Sequence, residues 1–273
     1  METWNEKIYG GRDLKSIKIF WKELKVDLQS QMAYRTNFFF NTIGMVLFSL
    51  IVPFTVFVIY GISSGIPGWT YGEFVFFYGT NILVWGISRF LFELMIYTTE
   101  WRVRSGHFDF SLLKPIKTEK YLSISNPNIE GIPMIVSGLL FILWSLPSVS
   151  FTLMSFLIYI TLCFCGLVVL YSISIMLSAA AIRFVKIAPL LAFYWTISDF
   201  TDYPLDIFNA EIKNLFTFIL PLGIVSFYPS SFFLGRINDY ILIIWLIITT
   251  LLFFFASRLI FNRAIKRYTS AGG

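Results

Sequence analysis

Arg89 and Glu93 stand four residues apart inside a run that is otherwise almost all Phe, Leu, Ile and Val. That spacing puts a guanidinium and a carboxylate on one face of a helix. Charges in so apolar a setting usually face protein or water, because lipid solvates neither. Two readings stay open. The pair marks a polar point at an internal interface or pathway, or Arg89 snorkels to the headgroups from the end of its helix. A second group of carboxylates, Asp199, Asp202, Asp206 and Glu211, follows a later apolar run. Their spacing matches no calcium loop, and a solvated acidic face accounts for them.

Other chemistry is missing. No G-x-x-x-x-G-K-[ST] motif occurs, so this chain has no phosphate-binding loop of its own. No glycine-rich dinucleotide fingerprint occurs either. His107 is the only histidine, which argues against a His-rich metal site or a Ser-His-Asp triad. Cys163 and Cys165 sit two apart in an apolar run. They point in different directions on a helix and read as small packing residues. No convergent acid, base or metal set is present, so an enzyme is disfavoured.

The elements that must position these residues follow from composition. The chain has 273 residues, of which 57% are hydrophobic and 14% charged. A soluble domain carries about 25% charged residues. Long apolar runs with so few charges read as helices that satisfy their own backbone inside a bilayer. Six spans are expected: Asn37–Tyr60, Glu73–Tyr97, Gly131–Pro147, Phe151–Ile182, Ile187–Phe200 and Tyr240–Phe261. The third is short and the fifth is interrupted by polar residues. On the fourth, Ser174, Ser178 and Ala181 form a small-residue stripe that permits close helix approach, within one chain or between two.

Basic residues alternate with these spans. Seven precede the first, from Lys7 to Arg35. Five follow the second: Arg102, Arg104, Lys114, Lys117 and Lys120. Arg183 and Lys186 follow the fourth, and Arg258, Arg263, Lys266 and Arg267 close the chain. With six spans all of these fall on one side, against Lys213 and Arg236 on the other. The positive-inside rule then places both termini in the cytoplasm. The net charge of +5 thus reports membrane orientation rather than nucleic-acid binding, and no nucleic-acid partner is expected.

Three segments outside the spans complete the reading. Leu14, Ile17, Trp21, Leu24 and Leu28 recur at three- and four-residue steps, with lysines on other faces. That is an amphipathic helix on the cytoplasmic membrane surface, with a basic face suited to anionic lipid. Between Glu100 and Pro127 the loop is too apolar for free solvation, and Gly106 and Pro115 punctuate it. A short amphipathic helix between turns is expected there, its apolar residues covered by bilayer or by another protein. The outer segment runs NLFTFILPLGIVSFYPSSFFLG, broken by Pro221 and Pro229. It reads as helices that dip into the outer leaflet and return under protein cover.

Glu100-x-Arg102, then Ser105-Gly106, then Leu112-Leu113-Lys114-Pro115-Ile116 resembles the cytoplasmic loop of ATP-binding-cassette (ABC) type-2 permeases. Asp202-Tyr203-Pro204, Pro221 and Tyr228-Pro229 resemble the same family in the outer stretch, which in particular looks like its small antibiotic- or viologen-exporter branch. The resemblance covers most of the chain from about Leu14 onward. At Phe108 to Phe110 the chain departs from it, where many members carry a Thr-Leu-Glu-like stretch.

The resemblance implies an all-α polytopic membrane protein with both termini inside. Residues 1–36 would form the N-terminal segment with its interface helix. Residues 37–273 would form the six-helix domain, with a coupling loop at 98–130 and an outer re-entrant segment at 201–235. It implies a permease subunit of an ABC exporter in the plasma membrane, moving an amphipathic, drug-like or lipid-like substrate. Glu100, Arg102, Arg104, Gly106, Leu112, Leu113 and Pro115 would form the ATPase-coupling element. Pro204, Pro221 and Pro229 would shape the outer hairpin. No cofactor is expected in this chain, since ATP and Mg would sit on a separate ATPase subunit. The expected partners are ABC ATPase subunits, a second permease (identical or not) and membrane lipids. An ATP-independent channel or secondary carrier is the competing reading. It predicts more intramembrane charges or helices broken in matching halves.

Overall fold

A computed structural model describes residues 2–63, 65–149 and 151–269, with side chains from residue 16 onward. Every regular element among the described residues is helical. The chain opens with α1, Glu2–Ala33, and α2, Arg35–Ile62, separated by a turn at Tyr34. Next comes one long rod, Tyr71–Arg104, made of α3 (Tyr71–Ser88), a π-turn (Arg89–Glu93) and α4 (Leu94–Arg104). Two short helices follow, α5 (Phe108–Leu112) and α6 (Thr118–Ile124). Then come α7 (Gly131–Ser145) and α8 (Leu153–Phe184). The last part holds α9 (Ala188–Ser198), α10 (Ala210–Asn214), α11 (Phe227–Phe233) and α12 (Tyr240–Lys266).

Five of these rods are long and apolar enough to cross a membrane: Arg35–Ile62, Tyr71–Arg104, Gly131–Ser148, Leu153–Phe184 and Tyr240–Lys266. They match five of the six expected spans. The remaining one, Ile187–Phe200, folds differently. Its helix α9 has 11 residues, about 16 Å of rise against a hydrocarbon core of about 30 Å. It ends in a 3-10 turn at Asp199–Asp202. The polar residues that interrupt this run in the sequence are where the helix stops.

The rod formed by α3 and α4 is the centre of the bundle. From Phe74 to Ser88 nearly every residue is buried, while α2 leaves Phe39, Phe40, Phe48 and Phe54 exposed along its length. Apolar on all sides and uncovered, α2 has the surface of a helix made for lipid. The last turns of α2 are tied to the start of α3, the Tyr71 hydroxyl donating to the Pro53 carbonyl at 3.3 Å, and α3 carries its own cap. Thr70 and Glu73 cap each other, Glu73 Oε2 accepting from the Thr70 amide at 2.8 Å.

Helices α3 and α7 run antiparallel with glycines in register. A Cβ on Gly138 would meet the Leu83 amide nitrogen at 2.6 Å and the Gly79 carbonyl at 2.8 Å. One on Gly131 would meet the Gly86 carbonyl at 2.6 Å. Two glycines seven residues apart on each helix thus bring the backbones together, the device by which membrane helices gain dispersion contact without a hydrophobic drive. The small-residue stripe on α8 serves the same end within this chain. Ser174, Ser178 and Ala181 are buried, and Ala181 packs with Ile96 of α4 and with Ile187 and Leu191 at the first turn of α9.

Between α9 and α12 the chain is short helices and turns. Pro204 is buried at its start, and everything from Pro221 to Phe233 is buried, Pro221 and Pro229 included. This irregular backbone lies directly on α8, where a Cβ on Gly166 would touch the Ile224 carbonyl and the Val225 Cα at 2.9 Å. Its backbone polar groups are covered by protein, the condition under which non-helical chain survives away from water.

Candidate functional site

Two regions gather the residues singled out in the sequence. The first lies at the basic end of the bundle. Helix α4 stops at Arg104, and Gly106 turns the chain with a φ of +74°, a conformation that favours glycine. Phe108 then plugs into a cluster of Met95, Val103, Leu122, Ile182 and Phe261, with Tyr268 edge-on at 5.0 Å. The opposite face of α5 is bare: Phe110 is 63% and Leu113 79% exposed. So α5 is a short amphipathic helix with one aromatic anchor inside and two apolar side chains outside.

The sequence reading treats Leu112 and Leu113 as one apolar pair. They part company here, Leu112 packing against the Phe108 cluster while Leu113 points out. Phe108 and Phe110, where the chain departs from its look-alikes, divide the same way. Arg104 and Pro115 are exposed, Glu100 is half-buried, and Arg102 lies over the Tyr121 ring at 5.4 Å. His107 stacks on Trp101 at 5.2 Å between centroids.

Helix α6 ties this knuckle to the rods. Glu119 accepts from Arg258 Nε of α12 at 3.0 Å and from the Tyr171 hydroxyl of α8 at 3.3 Å. Helix α1 passes the same loop, where Asp27 Oδ2 accepts from the Ile129 amide at 2.9 Å and Phe20 meets Phe90 edge-on at 6.2 Å. Ile17, Trp21 and Leu28 are exposed and Leu24 half-buried; the side chain of Leu14 lies outside the described residues.

The second region is a groove of about 320 Å³ beside the central rod, with polar groups set among apolar and aromatic walls. It begins at the π-turn. There the carbonyl of Phe90 accepts from the Asn128 amide at 3.0 Å, and wide turns of this kind recur at functional sites. Arg89 and Glu93 both line the groove. The carboxylate that Arg89 meets is Glu130, at 3.2 Å, rather than Glu93. Glu130 also accepts from Asn41 Nδ2 of α2 at 2.9 Å. Glu93 is buried and has no hydrogen bond or ion pair within 4 Å among the described residues.

Further along, Asn81 Nδ2 donates to Asp202 Oδ1 at 2.8 Å, and Trp85 Nε1 donates to Thr201 Oγ1 at 3.2 Å. Trp195 closes one side, its ring 6.0 Å from Trp85 and its Nε1 donating to the Tyr97 hydroxyl at 3.0 Å. The Asn81 Oδ1 is buried without a partner. Asp202, expected on a solvated acidic face, is instead drawn into the groove because α9 ends half-way along the rod and delivers it to Asn81. The sequence reading did not single out Asn81, Trp85 or Trp195. Asn81 was visible in it, as an amide within an apolar span.

Residues 43–272 match the family described as ABC-2 family transporter protein. The chain belongs to the ABC-2 transporter family. It is accordingly a multi-pass membrane protein of the permease type, a family of transport subunits rather than of enzymes. No curated protein gives a significant match. The family match covers both the α5–α6 knuckle and the groove, so the ABC-2 body contains every residue discussed in this section except those of α1 and Asn41.

Proposed function

We propose that this chain is the permease subunit of an ABC exporter and that α5 receives the motion of a separate ATPase subunit. The observation that carries the reading is the split of α5. Phe108 is locked into the bundle while Phe110 and Leu113 stand exposed beside it. An apolar pair on a rigidly anchored helix is the surface a partner protein covers. Glu100, Arg102, Arg104, Gly106, Leu112 and Pro115 flank or shape this contact. ATP and Mg belong to the partner; this chain supplies no nucleotide chemistry.

The basic end is then cytoplasmic, in line with the positive-inside rule, and both termini lie there. The interface helix within α1 rests on the inner leaflet of the plasma membrane through Ile17, Trp21 and Leu28. Helix α9 with its 3-10 turn makes the fifth crossing together with the re-entrant segment that follows, giving six crossings in all. Pro204, Pro221 and Pro229 set the bends of that outer hairpin. Two permeases, identical or different, assemble around the pathway.

The groove of Arg89, Glu93, Asn81 and Asp202, walled by Trp85 and Trp195, lines that pathway. Polar groups beside indoles suit an amphipathic, drug-like or lipid-like cargo. ATP binding biases the subunits between two states, and the stroke enters the bundle through Glu119, which is bonded to both α8 and α12. Co-purification in mild detergent tests the reading. A nucleotide-binding subunit is expected to travel with the wild-type chain and to be lost from Phe110→Asp/Leu113→Asp. Uphill transport by the chain alone would instead establish the carrier reading.

A further inference from the structure

A groove of about 720 Å³ opens at the basic end between α1, the α5–α6 connection, α8 and α12. Among the described residues its mouth carries Lys114 and Lys117, with Lys120 beside them and Arg258 and the carboxylate Glu119 at the inner edge. That carboxylate is already bonded to Arg258 and to Tyr171. Arg258 is thus held in place at the inner edge by its ion pair, and Lys114 and Lys117 leave the described side chains of the mouth with a net positive charge. The floor is apolar and aromatic, formed by Ile116, Tyr171 and Phe254, with Arg258 lying over the Phe254 ring at 5.1 Å. Phe254 stands twelve residues before the end of α12, about 18 Å into the rod. The groove thus runs from cations at the rim to hydrocarbon-like walls below.

A soluble anion would satisfy the rim and leave the apolar floor facing water. A ligand with a phosphate at one end and acyl chain at the other satisfies both. On the orientation set out under the proposed function, the rim lies at the level of the inner-leaflet headgroups. We infer that this groove is a binding site for an anionic glycerophospholipid of the inner leaflet, its phosphate among Lys114, Lys117 and Arg258 and a chain along Phe254. The site joins the knuckle to α8 and α12, so the lipid braces the contact that transmits the stroke.

The test uses the full chain in mild detergent, with lipid retention read by native mass spectrometry. Phosphatidylglycerol and phosphatidylcholine are the probes, and inorganic phosphate is the soluble competitor. Preferential retention of phosphatidylglycerol is expected, with a loss of about fivefold for each charge removed in Lys114→Gln/Lys117→Gln. Arg104→Gln, exposed at the same end but off the groove, is expected to retain lipid as wild type does. Equal retention of the two lipids would overturn the inference. So would an equal loss in Arg104→Gln, which would mean general surface charge, or displacement by inorganic phosphate, which would mean a soluble-anion site. Lys117→Cys labelled in intact cells separates this from the orientation. Labelling by an impermeant maleimide only after permeabilisation supports the inner leaflet. Labelling from outside overturns the inner-leaflet assignment even where lipid retention holds.

Discussion

Asn81 on the central rod donates to Asp202 beyond the end of α9 at 2.8 Å, joining residues 121 apart in the chain. The carboxylate fixes which way the amide points, because only the nitrogen can donate to it. The Asn81 oxygen is left buried and unpartnered. Asn81→Leu leaves the Asp202 carboxylate unpaired and is expected to cost about 1–3 kcal/mol, read as a lower melting temperature in detergent. Asp202→Asn keeps an acceptor for Asn81 and is expected to melt within about 0.5 kcal/mol of wild type. Transport is expected to fall in both. A full transport rate in Asp202→Asn would remove the carboxylate from the pathway.

The glycine seam between α3 and α7 gives a steric prediction. Gly138→Leu drives side-chain atoms into the Leu83 and Gly79 backbone, which cannot move aside as a side chain would. The cost is expected to be about 3 kcal/mol or more, seen as loss of monodisperse protein on gel filtration and a lower melting temperature. Gly44→Leu on α2, where a Cβ meets nothing within 4 Å, is the matched control and is expected to be neutral.

The two faces of α5 are expected to separate stability from coupling. Phe108→Ala empties a fully buried ring site and should cost about 3–5 kcal/mol of stability. Phe110→Asp/Leu113→Asp touches only exposed side chains and should leave melting unchanged while weakening ATPase association by about 2 kcal/mol or more, measured by titration of the purified subunits. Leu112→Asp is expected to follow Phe108→Ala rather than Leu113→Asp, because its side chain packs inward.

At the opposite end, Arg236 clasps two loops. It donates to the Gly68 carbonyl at 2.7 Å and to Glu73 Oε2 at 3.4 Å, and its guanidinium lies 4.2 Å above the Trp69 ring. Arg236→Gln is expected to cost about 1–3 kcal/mol in thermal melting. Arg236→Lys is expected to recover only part of it, since an ammonium cannot stack and fork at once.

The sequence by itself determined the solvent, the helical class and five of the rods, because each is written in contiguous runs: about twenty apolar residues with charges at the ends can satisfy their backbones in lipid in only one way. It also marked the knuckle, since Gly106 and Pro115 bracket an apolar loop. Tertiary structure alone decided what long-range pairing controls. Local pattern could not separate Leu112 from Leu113, or Phe108 from Phe110, because the difference lies in which faces α8 and α12 cover. It set Arg89 and Glu93 on one helix face, and they do line one groove, but it could not say that Arg89 meets Glu130, brought up at the start of α7. It put Asp202 on a solvated face, because nothing in its neighbours says that α9 ends half-way along the rod beside Asn81. The register of Gly79 and Gly86 with Gly138 and Gly131 is likewise a property of two helices meeting, and no single run of sequence contains it.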